Sequence, residues 1–333
     1  MDMSFMSKFL VQGRDAGRAL NHISANNVDG PSGVITYTQW LNKKGLLEAD
    51  LTVTKLDDER FLVVVTDTMH RHAETWMRRN VPDGAHAAIT DVTSGYCQIN
   101  VQGPKSRALL QNLTSADLSN EAFPFRAARE IDIGYARVLC IRITYVGELG
   151  YELYVPAEQA GHVYDRLVGS GSSFGLRHAG LKALASLRLE KGYRDYGHDI
   201  DNTDNAFETG LGFFIEFDKP LGFIGRDAVL KQKSAGPPRR RLVQVLVQDP
   251  EPILFHAEIV LRDGKPVGYV RAGSYGHTLG GAVGLAMVEA VGDAVDTAWL
   301  STGRWEVDIA GRRYPALVSM RPLYDPEMKR IRM

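Results

Sequence analysis

A chain of 333 residues is long enough for two or three domains with ordinary cores, which excludes a small disulfide-stapled scaffold. Its 39 Lys and Arg nearly cancel its 40 Asp and Glu, so no net field gathers nucleic acid or anionic lipid. Small molecules or other proteins are the expected partners. From the N-terminus, Lys8 to Gln12 reads as a strand that Gly13 turns into a helix from Asp15 to about Ile23. Leu51 to Thr54 and Phe61 to Val65 flank the turn-forming Asp57-Asp58-Glu59 and read as a hairpin. A helix over Met69 to Arg79 follows, then a strand over Tyr96 to Gln102, and Gly103-Pro104 opens a helix reaching Leu113. The two strand-to-helix passages echo each other: Val11-Gln12-Gly13 with Arg18-Ala19-Leu20 matches Val101-Gln102-Gly103 with Arg107-Ala108-Leu109. Duplication of one α+β unit explains the echo, and chance similarity of a short stretch competes with it.

Val138 to Tyr145 and Tyr151 to Val155 form a hairpin-like pair around Gly147-Glu148-Leu149-Gly150. The next helix carries Ala160, Val163, Tyr164, Leu167 and Val168 on one face, so that face is expected to pack on a sheet. A second helix covers about Leu181 to Gly192. Ser234 to Pro238, followed by Arg239-Arg240-Arg241, combines breakers with a charge run and reads as a linker ending in a solvated face. Beyond it, short strands separated at Asp263-Gly264, Ala272-Gly273 and Gly311-Arg312 suggest an antiparallel barrel or sandwich.

Three stretches could carry chemistry. In Tyr37 to Leu51, Asp50 sits at the mouth of a strand, where a carboxylate can orient or exchange a proton with an amine, or simply cap the strand end. In Thr144 to Tyr154, Glu152 shares a strand face with Gly150 and Tyr154, opposite Tyr151 and Leu153. A carboxylate beside glycine and an aromatic suits a flat heterocycle with an amino-amide edge; a solvent-facing glutamate is the plainer alternative. In Ser186 to Asp199, Arg188 can face Gly192 but not Glu190, and His198 lacks a partner at ligand spacing, so no metal is expected and the histidine reads as structural.

Several classes are excluded. There is no dinucleotide-binding G-x-G-x-x-G, no P-loop and no G-x-S-x-G elbow. Cys97 and Cys140, the only cysteines, read as buried small hydrophobes in strands and point to a reducing compartment. No apolar run reaches the ~18 residues of a membrane span and no signal peptide is evident, so a cytoplasmic or matrix-like location is expected, with no membrane partner.

The ordered set Asp2-Met3-Ser4-Phe5, Tyr37 to Leu51, Gly147 to Tyr154, Ser186 to Gly192, Gly222 to Arg226 and Pro322-Leu323-Tyr324-Asp325-Pro326 resembles the glycine-cleavage aminomethyltransferase (T-protein) family. It is most similar to the C-terminal folate domain of dimethylglycine and sarcosine dehydrogenases. The resemblance implies an α+β protein with two ferredoxin-like folate-binding domains, in a cloverleaf with a C-terminal antiparallel β-barrel. The implied boundaries are 1-92, lacking the family's usual opening segment, then 93-235 with the pterin-binding carboxylate, and 236-333 for the barrel. It implies tetrahydrofolate as cofactor, with Asp50 beside the nitrogens that receive the one-carbon unit. Glu152 would hold the pterin edge, Tyr37 would line the pocket, and Tyr324 would reach it from the C-terminal domain. Leu184 stands where the T-protein pattern has an arginine that anchors the folate tail, a departure shared by the dehydrogenase-type relatives. The implied activity is one-carbon transfer from a methylated amine to give 5,10-methylenetetrahydrofolate, with an FAD-dependent dehydrogenase chain as a candidate partner. A non-catalytic folate-binding or assembly subunit and a direct folate-dependent demethylase are the alternatives.

Overall fold

A computed structural model describes residues 1–333. The first unit contains β1 (Ser7–Gln12), α1 (Ala16–Ile23), β2 (Val34–Leu41), β3 (Leu47–Lys55), β4 (Arg60–Val65), α2 (His70–Asn80) and β5 (Ala88–Asp91). Its antiparallel sheet has the order β2-β3-β4-β1-β5. The second unit contains β6 (Tyr96–Gln102), α3 (Ser106–Gln111), β7 (Ala128–Ile133), β8 (Ala136–Ile141), β9 (Gly150–Pro156) and α4 (Ala160–Gly171), in the order β6-β9-β8-β7.

Both units run strand, helix, three-strand meander, helix, and both lay the opening strand beside the last strand of the meander. The expected duplication is therefore visible in the topology. Gly13 and Gly103 occupy matching turns at φ 135° and 119°, conformations that glycine tolerates and other residues resist. Each donates its backbone N–H back across the sheet, Gly13 to Glu59 and Gly103 to Leu149. Where the first unit has β5, the second has residues 1–3, with Met3 N–H donating to Gln98 O at 2.8 Å and Asn100 N–H to Met1 O at 2.9 Å.

Strand alternation divides the apolar residues between two layers. On β4, Phe61, Val63 and Val65 point into the helix-covered core, while Leu62 and Val64 pack with Ile35 against Ala128, Ile141 and Tyr154 of the second sheet. The helix-free faces of the two sheets therefore meet. On β3, Ala49, Leu51 and Val53 belong to the helix-covered core, which sends Asp50 to the face opposite it.

After α5 (Leu181–Glu190) and α6 (Arg226–Ser234), the chain enters a closed six-stranded antiparallel barrel. Its elements are β10 (Arg240–Val247), β11 (Ile259–Arg262), β12 (Lys265–Gly276), β13 (Gly281–Glu289), α7 (Thr297–Thr302), β14 (Trp305–Ile309) and β15 (Arg312–Ser319). The buried Glu190 ties α5 to the β12–β13 turn by accepting from the backbone N–H groups of Thr278 and Leu279 at 2.7 and 2.9 Å. A core that includes Leu41, Leu47, Leu189, Ile200, Leu242 and Leu285 joins the first unit, the connecting segment and the barrel.

The structure corrects several local expectations. Ala272-Gly273 does not separate strands, because β12 runs through it with a register shift between Val270 and Ala272. Tyr164 is exposed and its hydroxyl meets His178 at 3.1 Å, so α4 buries a narrower stripe than its apolar spacing suggests. Cys97 is half-buried and accepts from the Ser4 hydroxyl, whereas Cys140 is buried as expected. Arg240 and Arg241 open a barrel strand instead of forming a solvated face. No helix is long and apolar enough to cross a membrane, and no cluster of metal-ligand type occurs.

Candidate folate-binding and transfer site

Asp50 lies inside β3, not at its mouth, because the hairpin through Asn42 to Leu46 extends the strand upstream to Leu47. The register sets Gln39 directly opposite Asp50, and Gln39 Nε2 donates to Asp50 Oδ1 at 2.9 Å. Two residues back along the same face, Tyr37 donates its hydroxyl to Oδ2 at 2.8 Å. Both Asp50 and Tyr37 are half-buried. Burial pushes the Asp50 carboxyl up to about 7, against the opposing pull of the Tyr37 and Gln39 hydrogen bonds and the Arg194 charge. Burial, with the neighbouring Asp50 charge, holds the Tyr37 phenol well above its usual value. Tyr37 therefore stays a proton donor while Asp50 is poised to gain or lose a proton near neutrality.

α5 and the segment after it lie beside this pair, with Phe214 edge-on to the Tyr37 ring at a centroid distance of 4.6 Å. Arg188 is buried and grips the fully buried Asp199, Nη1 to Oδ2 at 3.1 Å and Nη2 to Oδ1 at 3.0 Å. It also donates to Tyr193 O at 2.9 Å, which fixes the turn at Gly192. Tyr145 donates its hydroxyl to Arg194 O at 2.5 Å, and its ring lies parallel to that of Tyr193 with centroids 6.1 Å apart. His198 is largely exposed and leans on Asp195 at 3.3 Å, a surface contact with no ligand geometry.

Glu152 occupies the inter-sheet face of β9. Tyr154 donates to its Oε2 at 2.7 Å and Asn100, opposite it on β6, lies 3.4 Å from Oε1. Tyr151 and Leu153 point into the helix-covered core, so the predicted division of the strand's faces holds. Burial raises the Glu152 carboxyl, with the Tyr154 and Asn100 hydrogen bonds opposing. A half-buried carboxylate with neutral donors only and no cation within salt-bridge distance gains most from further N–H donors.

Tyr324 arrives from the far end of the chain and donates its hydroxyl to Glu148 Oε1 at the tip of the β8–β9 loop. Burial first, then Glu148, raises its phenol to about 12. Beside it, the buried Lys191 reaches Asp325 O and Oδ2 at 2.5 and 3.1 Å. Gly147, at φ 76°, admits Lys191 so closely that a Cβ there would lie 2.9 Å from its side chain.

Tyr37 and Asp50 are thus in direct contact. Glu152 and Tyr324 sit in separate clusters, on β9 and at the loop preceding it. Two surface grooves, at Ser32 to Val34 with Pro124 to Arg129 and at Gln12-Gly13 with Asp57 to Arg60, contain none of the four. Gln39, Tyr145 and Arg194 were not singled out from the sequence. The signal for Gln39 is its hairpin register with Asp50; nothing local marks the other two.

Two family descriptions match the chain: the GCVT N-terminal domain over residues 1–219 and the glycine cleavage T-protein C-terminal barrel domain over residues 240–325. A 4-methylaminobutanoate oxidase (formaldehyde-forming) of Paenarthrobacter nicotinovorans is 41% identical over 99% of the chain, which spans 39% of that protein. The mitochondrial pyruvate dehydrogenase phosphatase regulatory subunit of Mus musculus is 31% identical over 97% of the chain and is spanned to 38%. An aminomethyltransferase of Shouchella clausii is 32% identical, with 97% of the chain and 85% of that protein covered. Glycine cleavage system aminomethyltransferase T from Bartonella henselae superposes with a TM-score of 0.83 over 96% of this chain and 84% of that one, at 22% identity, and so shares the fold. The chain belongs to the glycine cleavage T-protein (aminomethyltransferase) family.

Proposed function

We propose that the chain binds tetrahydrofolate and transfers to it the one-carbon unit of the iminium left when a flavin dehydrogenase takes two electrons from a methylated amine, giving 5,10-methylenetetrahydrofolate and releasing the demethylated amine. The observation that carries this reading is Asp50, a half-buried carboxylate held by Tyr37 and Gln39 and pushed up to about 7. Tetrahydrofolate, when bound, supplies the nucleophilic nitrogens that accept the one-carbon unit. The donor set fits such a group. Glu152 offers two oxygens on the inter-sheet face, beside Asn100 and the Tyr154 hydroxyl, suited to the paired N–H donors of a pterin edge. Tyr37 orients Asp50, and Asp50 stabilises positive charge and takes up a proton at the reacting nitrogen. Leu184 is buried and apolar, so it provides no anchor for a charged tail.

The substrate reading draws on the relatives: a small methylated amino acid, of the 4-methylaminobutanoate or dimethylglycine and sarcosine type, fits a chain 41% identical to an oxidase of that class. An FAD-dependent dehydrogenase chain is the proposed supplier of the iminium. The regulatory-subunit relative favours a second reading, a folate-binding or assembly subunit without turnover. Equilibrium binding of tetrahydrofolate, followed by trapping of formaldehyde equivalents on it with and without a flavoprotein partner, separates the two. Binding with accelerated trapping is expected. Binding without acceleration in either condition supports the folate-binding subunit reading, and absence of folate binding overturns the transferase reading and leaves an assembly role alone.

A further inference from the structure

Most buried or half-buried arginines near the barrel junction have a carboxylate partner. Arg188 has Asp199, Arg240 has Asp204 and Glu208, and Arg271 has Asp204. Arg194 and Arg241 do not. Arg194 donates Nε to Thr209 O at 3.0 Å and Nη1 to Gly192 O at 2.6 Å; Arg241 donates Nη1 to Phe207 O at 2.8 Å. Neither lies within 4.0 Å of any acid, and Arg241 Nε is buried with no hydrogen-bond partner.

The two guanidinium groups also converge. A Cβ placed on Gly210 would lie 2.7 Å from Arg194 Nη2 and 3.5 Å from Arg241 Nη2. Gly210 stands at φ 74°, so both the backbone and the space at this point call for glycine. Burial lowers the pKa of each arginine, and the Arg194 charge lowers that of Arg241 further. Two half-buried like charges held together, with unused N–H donors and a glycine between them, form an arrangement that an anion completes.

We propose that Arg194 and Arg241 form a carboxylate-binding site next to the Asp50 pair. Its proximity follows from the packing: Tyr37, which donates to Asp50, sets its ring edge-on to Phe214 with centroids 4.6 Å apart, and Phe214 donates its N–H at 3.0 Å to the carbonyl of Leu211, the residue after Gly210. The Arg194 charge accordingly acts on both Asp50 and Tyr37. The planar forks of two arginines match a compact carboxylate, and a methylated amino acid bound here would present its nitrogen toward Asp50. Folate's glutamate tail carries the same group. The identity of the carboxylate rests on the folate reading; the existence of the site does not.

The test is calorimetric titration without folate, comparing N-methylglycine with dimethylamine, and acetate with chloride at equal ionic strength. The wild-type chain is expected to bind N-methylglycine at least tenfold more tightly than dimethylamine, to prefer acetate over chloride, and to lose both preferences in Arg241→Gln. Arg241→Lys should retain part of them. A second arm compares tetrahydrofolate with a tetrahydropterin lacking the glutamate tail. If Arg241→Gln weakens the first and spares the second, the tail is the natural occupant; if it spares both while losing N-methylglycine, the amine substrate is. The proposal is overturned if a folded Arg241→Gln chain binds every ligand as the wild type does. Should that variant not fold, the wild type's lack of preference for the carboxylated members of the pairs overturns it equally. Failure of the wild type to bind any folate would sink the folate reading alone, because the acetate and N-methylglycine arms contain none.

Discussion

Asp50 and Glu152 are both half-buried strand carboxylates on helix-free sheet faces, yet their surroundings differ, and the proposed function gives them different work. Glu152 receives neutral donors from Tyr154 and Asn100 and has no cation beside it. If it holds a pterin edge, it contributes similarly before and during transfer. Glu152→Gln is therefore expected to weaken tetrahydrofolate binding by about 1.5–3 kcal/mol, read by equilibrium titration, with little further loss in the transfer step. Asp50, raised to about 7, titrates within the working range. As a proton acceptor it must be ionised, so the transfer rate should rise with pH through about 7 and level off above, and this limb should vanish in Asp50→Asn. The same shift has a stability consequence of opposite direction. A carboxyl whose folded pKa exceeds its unfolded value leaves the native state binding more protons between about 4 and 7, so stability falls as pH rises through that window. In the absence of ligand, Asp50→Asn should lose this dependence and gain on the wild type toward pH 8, by on the order of 2 kcal/mol after allowing for solvent screening of a half-buried group. Unchanged pH profiles of stability in the two chains would contradict the raised Asp50 value.

At the scale of the elements, the segment after α5 holds the site together. Arg188 on α5 and Asp199 beyond the Gly192 turn form an ion pair with both side chains nearly inaccessible. Removing one partner strands the other charge, so Arg188→Met should destabilise the chain by about 3–5 kcal/mol in denaturant unfolding. Replacing both partners with apolar residues should cost less than either single change. The sequence displayed parts of this scale well. The hairpin of β3 and β4, the strand-to-helix passages at Gly13 and Gly103, and the two faces of β9 were legible because period-two alternation and glycine punctuation are local signals. The strand β2 was not, since Thr36, Thr38 and Gln39 are buried polar residues whose partners, Arg126, the Asn26 N–H and Asp50, are brought to them only by the fold. Asp50 was marked by its place in the strand and Tyr37 by resemblance, but their contact depends on a cross-strand register that composition does not reveal. Arg194 and Arg241 were hidden for the same reason: their meeting at Gly210 joins segments far apart in the chain.

For the whole molecule, the two sheets meet through their helix-free faces and the barrel packs on the first unit and the connecting segment. A ligand held by residues of both sheets and by Tyr324 should couple these parts. Tetrahydrofolate is accordingly expected to raise the thermal midpoint, the stabilisation reaching about 2.7 kcal/mol at a hundredfold excess over its dissociation constant. The account's central claim is narrower: folate binding alone does not distinguish a carrier from a transferase, whereas the division of labour between Asp50 and Glu152 does. The most direct test is single-turnover transfer of a one-carbon unit to bound tetrahydrofolate, measured for the wild type and Asp50→Asn with tetrahydrofolate affinity determined on the same samples. The expected result is a rate lower by roughly a hundredfold or more in the variant, with affinity changed far less. A fully active variant, or equal losses of rate and affinity, would contradict the role assigned to Asp50.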